Sequence, residues 1–155
     1  MLKAYLLLCV CWLEAIPSSS LSKGKAVTTS TFEDVVNDER VWLVKFHSNR
    51  CGTCKEFGPI WNQLVDAFAD TVSFGVVDID LPDGMSLAQD LNVLEEGIPS
   101  VRIFNRSSDR SGALLWSGLE IPTATFLIAQ AKQKLPAKAP GAPYLKSGGA
   151  QVQDL

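Results

Sequence analysis

The apolar positions of the chain fall into two kinds of run. Val41–Phe46 (VWLVKF) and Val72–Ile79 (VSFGVVDI) are nearly continuous apolar, β-branched stretches, the pattern of strands buried on both faces. Between them Phe57, Ile60, Trp61, Leu64, Val65 and Phe68 recur at helical spacing. They predict a helix over Cys54–Asp70, kinked by Pro59. Upstream, Lys25–Thr28 fits a short edge strand, and Ser30-Thr31-Phe32-Glu33 has the form of a capping box. The helix it opens would run to about Asn37 and bury Phe32, Val35 and Val36. Downstream, Gly84–Leu91 predicts a helix with Asp83 near its start. Strands Val101–Phe104 and Ala113–Trp116 flank a polar turn at Asn105–Gly112. Pro122–Leu135 predicts a last helix with its proline near N1. The order βαβαβαββα describes a single α/β domain over residues 25–135, with parallel pairing first and a hairpin last.

The two ends depart from this pattern. Met1–Ala15 reads MLKAYLLLCVCWLEA: one cation at Lys3, an apolar run over Ala4–Leu13, then small residues through Ser20. That is the order of a secretory signal peptide, with cleavage expected between Ala15 and Ser20. The run has no polar face for an amphipathic helix and is shorter than the ~20 residues of a membrane span. Residues 136–155 are rich in Pro, Gly, Ala and Ser without any period, which predicts a disordered tail.

Composition adds constraints. A chain of 155 residues has room for one domain, and a net charge of −3 without a basic run argues against nucleic acid as a partner. Of 4 Cys, Cys9 and Cys11 lie in the signal segment, so the mature domain keeps Cys51 and Cys54. Two Cys cannot build a disulfide scaffold.

Cys51-Gly52-Thr53-Cys54 sits where a buried strand gives way to a helix. Unpaired amides and the helix dipole at such an N-terminus favour thiolate, Gly52 would let the turn close, and the spacing brings two sulfurs within disulfide reach. Cys51 would attack and Cys54, one turn deeper, would resolve the mixed disulfide. A zinc site would need about four ligands, where the mature chain offers two Cys and His47. An inert disulfide across so small a loop would add little stability. Redox chemistry is the reading favoured over both.

The stretch WLVKFHSNRCGTCKEFGPIW resembles the active-site segment of thioredoxin-fold proteins, the protein disulfide isomerase family in particular. The resemblance extends over about Ala26–Leu135. It includes Pro59 five residues after the second Cys, the strand segment Val76–Asp80, Gly97-Ile98-Pro99-Ser100 and Gly118. It implies a thioredoxin fold, a central mixed sheet flanked by helices, and thiol–disulfide oxidoreductase activity. It also implies a cis Ile98–Pro99 bond facing the Cys pair, where a substrate backbone would pair beside the reactive sulfur. The substrates implied are protein or peptide thiols and disulfides, with glutathione or an upstream oxidase as further partners. No metal or organic cofactor is implied. A redox-weak module that holds a client or partner protein is the alternative from another class.

The chain departs from the family at instructive places. Arg50 replaces the usual Trp before the first Cys, Lys45 replaces a buried carboxylate, and His47 replaces an aromatic. Lys45, His47, Arg50 and Lys55 thus surround Cys51 in sequence and are expected to favour its thiolate; Arg50 could also contact substrate. Such stabilisation predicts a potential nearer about −180 mV than about −270 mV. The segment Asn92–Glu96 is about two residues longer than the family pattern. Asn105-Arg106-Ser107 is a glycosylation sequon, and the terminal QVQDL is not a clear retention signal. The expected location is the endoplasmic reticulum lumen or the exterior, as a monomer.

Overall fold

The computed structural model describes residues 22–105, 109–118, 120–138 and 141–146. The signal peptide expected over residues 1–20 lies outside these residues. Five strands form one mixed sheet: β1 (Lys25–Ala26), β2 (Trp42–His47), β3 (Ser73–Asp78), β4 (Ser100–Phe104) and β5 (Ala113–Ser117), in the order β1-β3-β2-β4-β5. β3 pairs in parallel with β1 and β2, whereas β4 is antiparallel to β2 and β5. The predicted parallel-first, hairpin-last arrangement is therefore observed.

Alternation along β2 divides the core. Trp42, Val44 and Phe46 face one side, where α1 (Phe32–Asn37) and α3 (Pro82–Asp90) pack. Val41 and Leu43 face the other, beneath α2 (Gly52–Ala67) and α5 (Ala124–Lys134). β2 is buried throughout all but its last residue because it lies at the centre of the sheet with helices on both faces. β3 is only half-buried, since its short neighbour β1 leaves much of one flank open. α2 continues through Pro59 as one 16-residue helix.

Several local expectations need correction. The capping box does not form: Thr31 is the N-cap of α1, its hydroxyl accepts from the Thr28 amide, and Glu33 pairs with Arg110 instead. Pro122 lies before the last helix, whose N-cap is Thr123, with its hydroxyl accepting from the Phe126 amide. The segment after Asn92 contains a short helix, α4 (Val93–Glu96), rather than a plain loop.

The tail is also not wholly disordered. Its residues Tyr144–Lys146 dock against the fold. Tyr144 accepts from the Val41 amide, Leu145 bridges to Arg40, and the Lys146 amine donates to the carbonyls of Val35 and Val36 at the end of α1. The Tyr144 ring meets Phe68 edge-on. A cation at a helix C-terminus satisfies carbonyls that have no partner within the helix.

Candidate active site

The site lies at the C-terminal end of β2. There the chain leaves His47, turns through Ser48–Arg50 and enters α2 with Cys51 as its N-cap. Both cysteines are free thiols; Cys51 is partly exposed and Cys54 is buried. The Cys51 sulfur accepts from the Cys54 amide at 3.1 Å and lies 3.1 Å from the Thr53 hydroxyl. Burial alone would push the Cys51 thiol up, but hydrogen bonds from Cys54 and Thr53 outweigh it and the pKa is lowered. Cys54 has the opposite character. Burial and the neighbouring Cys51 push its pKa up to about 12, opposed by the Ser48 backbone and the positive charge of Lys45. One thiol is thus readily ionised and accessible, the other protonated and shielded.

Lys45, His47, Arg50 and Lys55 do not bear on Cys51 as their nearness in sequence suggested. Hydrogen bonds, rather than those cations, lower the pKa of Cys51. Lys45 is fully buried beneath α2, with its amine 5.4 Å from the centre of the Trp61 ring, and it acts on Cys54. Arg50 is largely exposed and directed towards Asp80 at 3.8 Å. Lys55 is exposed on α2. His47 is half-buried; burial and the Lys45 charge lower its pKa, with Asp78 and Asp80 opposing. Gly52 is not sterically required, since a Cβ there would meet nothing within 4 Å.

Sequence reading missed the carboxylates that hold the active-site loop. Asp80 accepts from the Ser48 hydroxyl and the Asn49 amide, each at 2.8 Å, and Asp78 accepts from the Asn49 side chain at 2.9 Å. The Ser48 hydroxyl also accepts from the Arg50 amide, bracing the turn into Cys51. Ser48, which accepts as well as donates, holds the Asp80 carboxyl below its usual range. Asp78 ends β3 and Asp80 lies two residues beyond it, where α3 packs closely: a Cβ on Gly84 would fall 2.0 Å from the Asp78 carbonyl. The only advance signal was a pair of acids ending a buried strand.

The Ile98–Pro99 bond is cis, as the resemblance implies. Pro99 directly precedes β4, whose first residue Ser100 pairs with Phe46 beside His47, so Pro99 and Cys51 share one end of the sheet. The stretch leading to Pro99 is bracketed by an ion pair between buried Arg102 and the more exposed Glu96, which sequence did not suggest. Arg102 contacts Glu96 at 2.9 Å and donates to the Ser111 carbonyl at 2.7 Å. Asn105 donates to the Lys134 carbonyl, and the rest of its sequon lies outside the described residues. Among the described residues no three His, Cys, Asp or Glu side chains converge on a metal position.

The thioredoxin family model matches residues 23–114, more than half of the chain. The chain belongs to the thioredoxin family. It is 33% identical over 85 residues to protein disulfide-isomerase A6 of Homo sapiens, a match covering 54% of this chain and 18% of that protein. With the same-named protein of Mesocricetus auratus it shares 28% over 127 residues, covering 79% and 28% of the two. With protein disulfide-isomerase tigA of Aspergillus niger it shares 30% over 97 residues, covering 61% and 26%. The chain spans less than a third of the length of these relatives. The J-Trx1 fragment of ERdj5 has a similar fold, with a TM-score of 0.58 at 22% identity over 70% of this chain and 50% of that one.

Proposed function

We propose that this thioredoxin-family domain is a thiol–disulfide oxidoreductase of the secretory pathway, exchanging disulfides with protein substrates through Cys51 and Cys54. The observation that carries the reading is the opposed character of the two thiols. Cys51 is partly exposed and its pKa is lowered, whereas Cys54 is buried and held protonated. A nucleophile and a resolving thiol require that division of roles.

In the reducing direction, the Cys51 thiolate attacks a client disulfide, and one client sulfur leaves as thiolate. The mixed disulfide is then broken by Cys54, which loses its proton and bonds to the Cys51 sulfur as the second client thiolate departs. Two electrons pass from the cysteine pair to the client. Oxidation of a client dithiol is the same sequence reversed, and the compartment's redox poise sets the direction. Pro99, at the same end of the sheet, would present a backbone edge for the client. The similarity to named disulfide isomerases supports this activity, and the signal-like segment supports entry into the secretory pathway. Glutathione or an upstream oxidase would restore the pair, with the domain acting as a monomer and no cofactor. Sequon use at Asn105 would appear as a mass shift removed by glycosidase.

Insulin reduction and oxidative refolding, run with wild type, Cys51→Ser and Cys54→Ser, test the proposal. Activity lost in Cys51→Ser, with client adducts trapped by Cys54→Ser, is the expected result. An inert wild type that still binds unfolded clients would make the domain a holding module instead.

A further inference from the structure

The loop that carries Cys51 into α2 is held from outside by one carboxylate. β2 and β3 stay in register to their ends, and the Ile79 amide then donates to the His47 carbonyl at 2.9 Å. That pairing brings Asp80, two residues past β3, beside Ser48, the residue that follows β2. Asp80 accepts the Ser48 hydroxyl with Oδ1 and the Asn49 amide with Oδ2, each at 2.8 Å. Its own amide donates to Asp78 at 2.9 Å, and Asp78 also takes the Asn49 side chain, so the acceptor is itself fixed.

Ser48 is where this clamp meets the cysteines. Its hydroxyl gives its proton to Asp80, and the same oxygen accepts the Arg50 amide at 3.0 Å. Its carbonyl accepts the Cys51 amide at 3.3 Å, and its backbone also hydrogen-bonds Cys54. The amides of Asn49, Arg50 and Cys51 are thus all engaged, the first by Asp80 and the next two by Ser48. Ser48 is 7% exposed, so water cannot readily replace these bonds.

We propose that Asp80 is a positioning residue for Cys51, acting through Ser48 to hold the sulfur at the N-cap of α2. This rests on the exchange activity proposed above and names a group outside the helix that keeps its nucleophile ionisable. The lowered pKa of Cys51 comes from hydrogen bonds to Thr53 and Cys54, of which the Cys54 amide bond is 3.1 Å long. Such bonds weaken steeply with distance and angle. A loop free to turn about Ser48–Arg50 would spend part of its time without them. The charged groups around Asp80 are Arg50 and Asp78, with His47 at the end of β2. Arg50 lies 3.8 Å away with its side chain 86% exposed, so solvent screens that pair and the bonds to Ser48 and Asn49 form the clamp. They also hold the Asp80 carboxyl below its usual range, which keeps it an acceptor at any pH where Cys51 reacts.

Iodoacetamide labelling of the reduced domain between about pH 5 and 10 reads the Cys51 pKa whether or not the domain exchanges disulfides. Asp80→Ala and Ser48→Ala are each expected to move the profile upward and to slow labelling at pH 7 about threefold. Asp80→Asn, which can still accept from Ser48, is expected to fall between them and wild type. Ser48→Thr keeps the hydroxyl and is expected to restore the wild-type profile. Because both residues act through one chain of bonds, the Asp80→Ala, Ser48→Ala double variant is expected to match the single variants. Reduction of a disulfide-bonded peptide is expected to slow in parallel. Urea unfolding of the same variants separates the two roles, since a purely structural clamp would lower the midpoint and leave the labelling profile in place. A wild-type profile in folded Asp80→Ala or Asp80→Asn and in Ser48→Ala, or losses that multiply in the double variant, would overturn the proposal. A wild type that labels at low pH yet never reduces the peptide would overturn the exchange activity and not the placement of Cys51.

Discussion

Lys45→Met is expected to make the reduced domain more stable at neutral pH, although it removes a hydrogen bond. The reason lies in the depressed pKa of the buried amine. Lys45 titrates near 8 in the fold, against about 10.4 for a lysine in an unfolded chain. A folded-state pKa below the unfolded value means that the native state binds this proton less tightly. The resulting penalty is fully present below about pH 8, fades as pH rises towards 10.4, and is absent above that. At about 1.4 kcal/mol for each tenfold change in proton affinity, the penalty amounts to about 3 kcal/mol. Set against it are the Ser22 hydrogen bond and the Trp61 ring contact, together about 2 kcal/mol. Methionine fills a similar volume without a charge. The variant is therefore expected to gain about 1 kcal/mol at pH 7, to lose that advantage at about pH 9, and to be the less stable protein above it. Cys54 has the reverse dependence, because a raised folded-state pKa gives stability that is lost as pH climbs from about 9 towards 12. That trend is shared by both proteins and largely cancels in their difference. Urea unfolding of reduced protein from pH 7 to 10.5, with unchanged slope, supplies the comparison. A variant less stable than wild type at pH 7, by an amount constant across the range, would refute the reasoning. If the gain is found, the domain keeps a costly amine at its core, as expected where a residue is retained for chemistry rather than stability.

Thr53→Val removes a hydroxyl 3.1 Å from the Cys51 sulfur. It is expected to raise the Cys51 pKa, moving the pH profile of iodoacetamide labelling upward; an unmoved profile would assign the lowering to the Cys54 bonds and the Thr53 backbone. Equilibration with glutathione is expected to give a potential nearer about −180 mV than about −270 mV, because the Cys51 thiolate is stabilised; a value below the lower figure contradicts this. Glu96→Gln strips the counter-charge from Arg102, whose side chain is 5% exposed, whereas Arg102→Met leaves a carboxylate already 32% exposed. In denaturant titrations the first is expected to cost about 2–3 kcal/mol and the second about 1 kcal/mol or less; the reverse order would show that the carboxylate is the group needing its partner. Deleting residues 142–155 removes the Tyr144 and Lys146 contacts and is expected to lower stability by about 1–3 kcal/mol. An unchanged urea midpoint would show that the docked tail contributes nothing.

The strands, most helices and the cysteine pair were legible because each is written in local pattern. Central strands are continuous apolar runs, and the Cys51–Cys54 spacing is contained in four residues. What stayed hidden depends on partners far away in the chain. Ser48 meets Asp80 across 32 positions, Lys45 meets Ser22 across 23, and Lys146 reaches Val35 across 111. The tail misled for a related reason. Its Pro, Gly and Ala content lacks any period, yet Tyr144–Lys146 dock against the fold, and contacts from three consecutive residues leave no periodic trace.

Lys45 shows where the sequence held more than proximity suggests. Counting residues places it near Cys51 and invites the view that its charge serves that sulfur. Strand alternation gives another answer, since residues 41, 43 and 45 share a face and the first two are apolar residues beneath α2. Lys45 therefore points under the helix, where Trp61 and Cys54 lie, rather than towards its first residue. Placed there, a cation that would have assisted the attacking sulfur instead bears on the resolving one. The Cys51 sulfur is held by Thr53 and the start of α2, whereas the Lys45 charge falls on Cys54, whose pKa it lowers against the effect of burial.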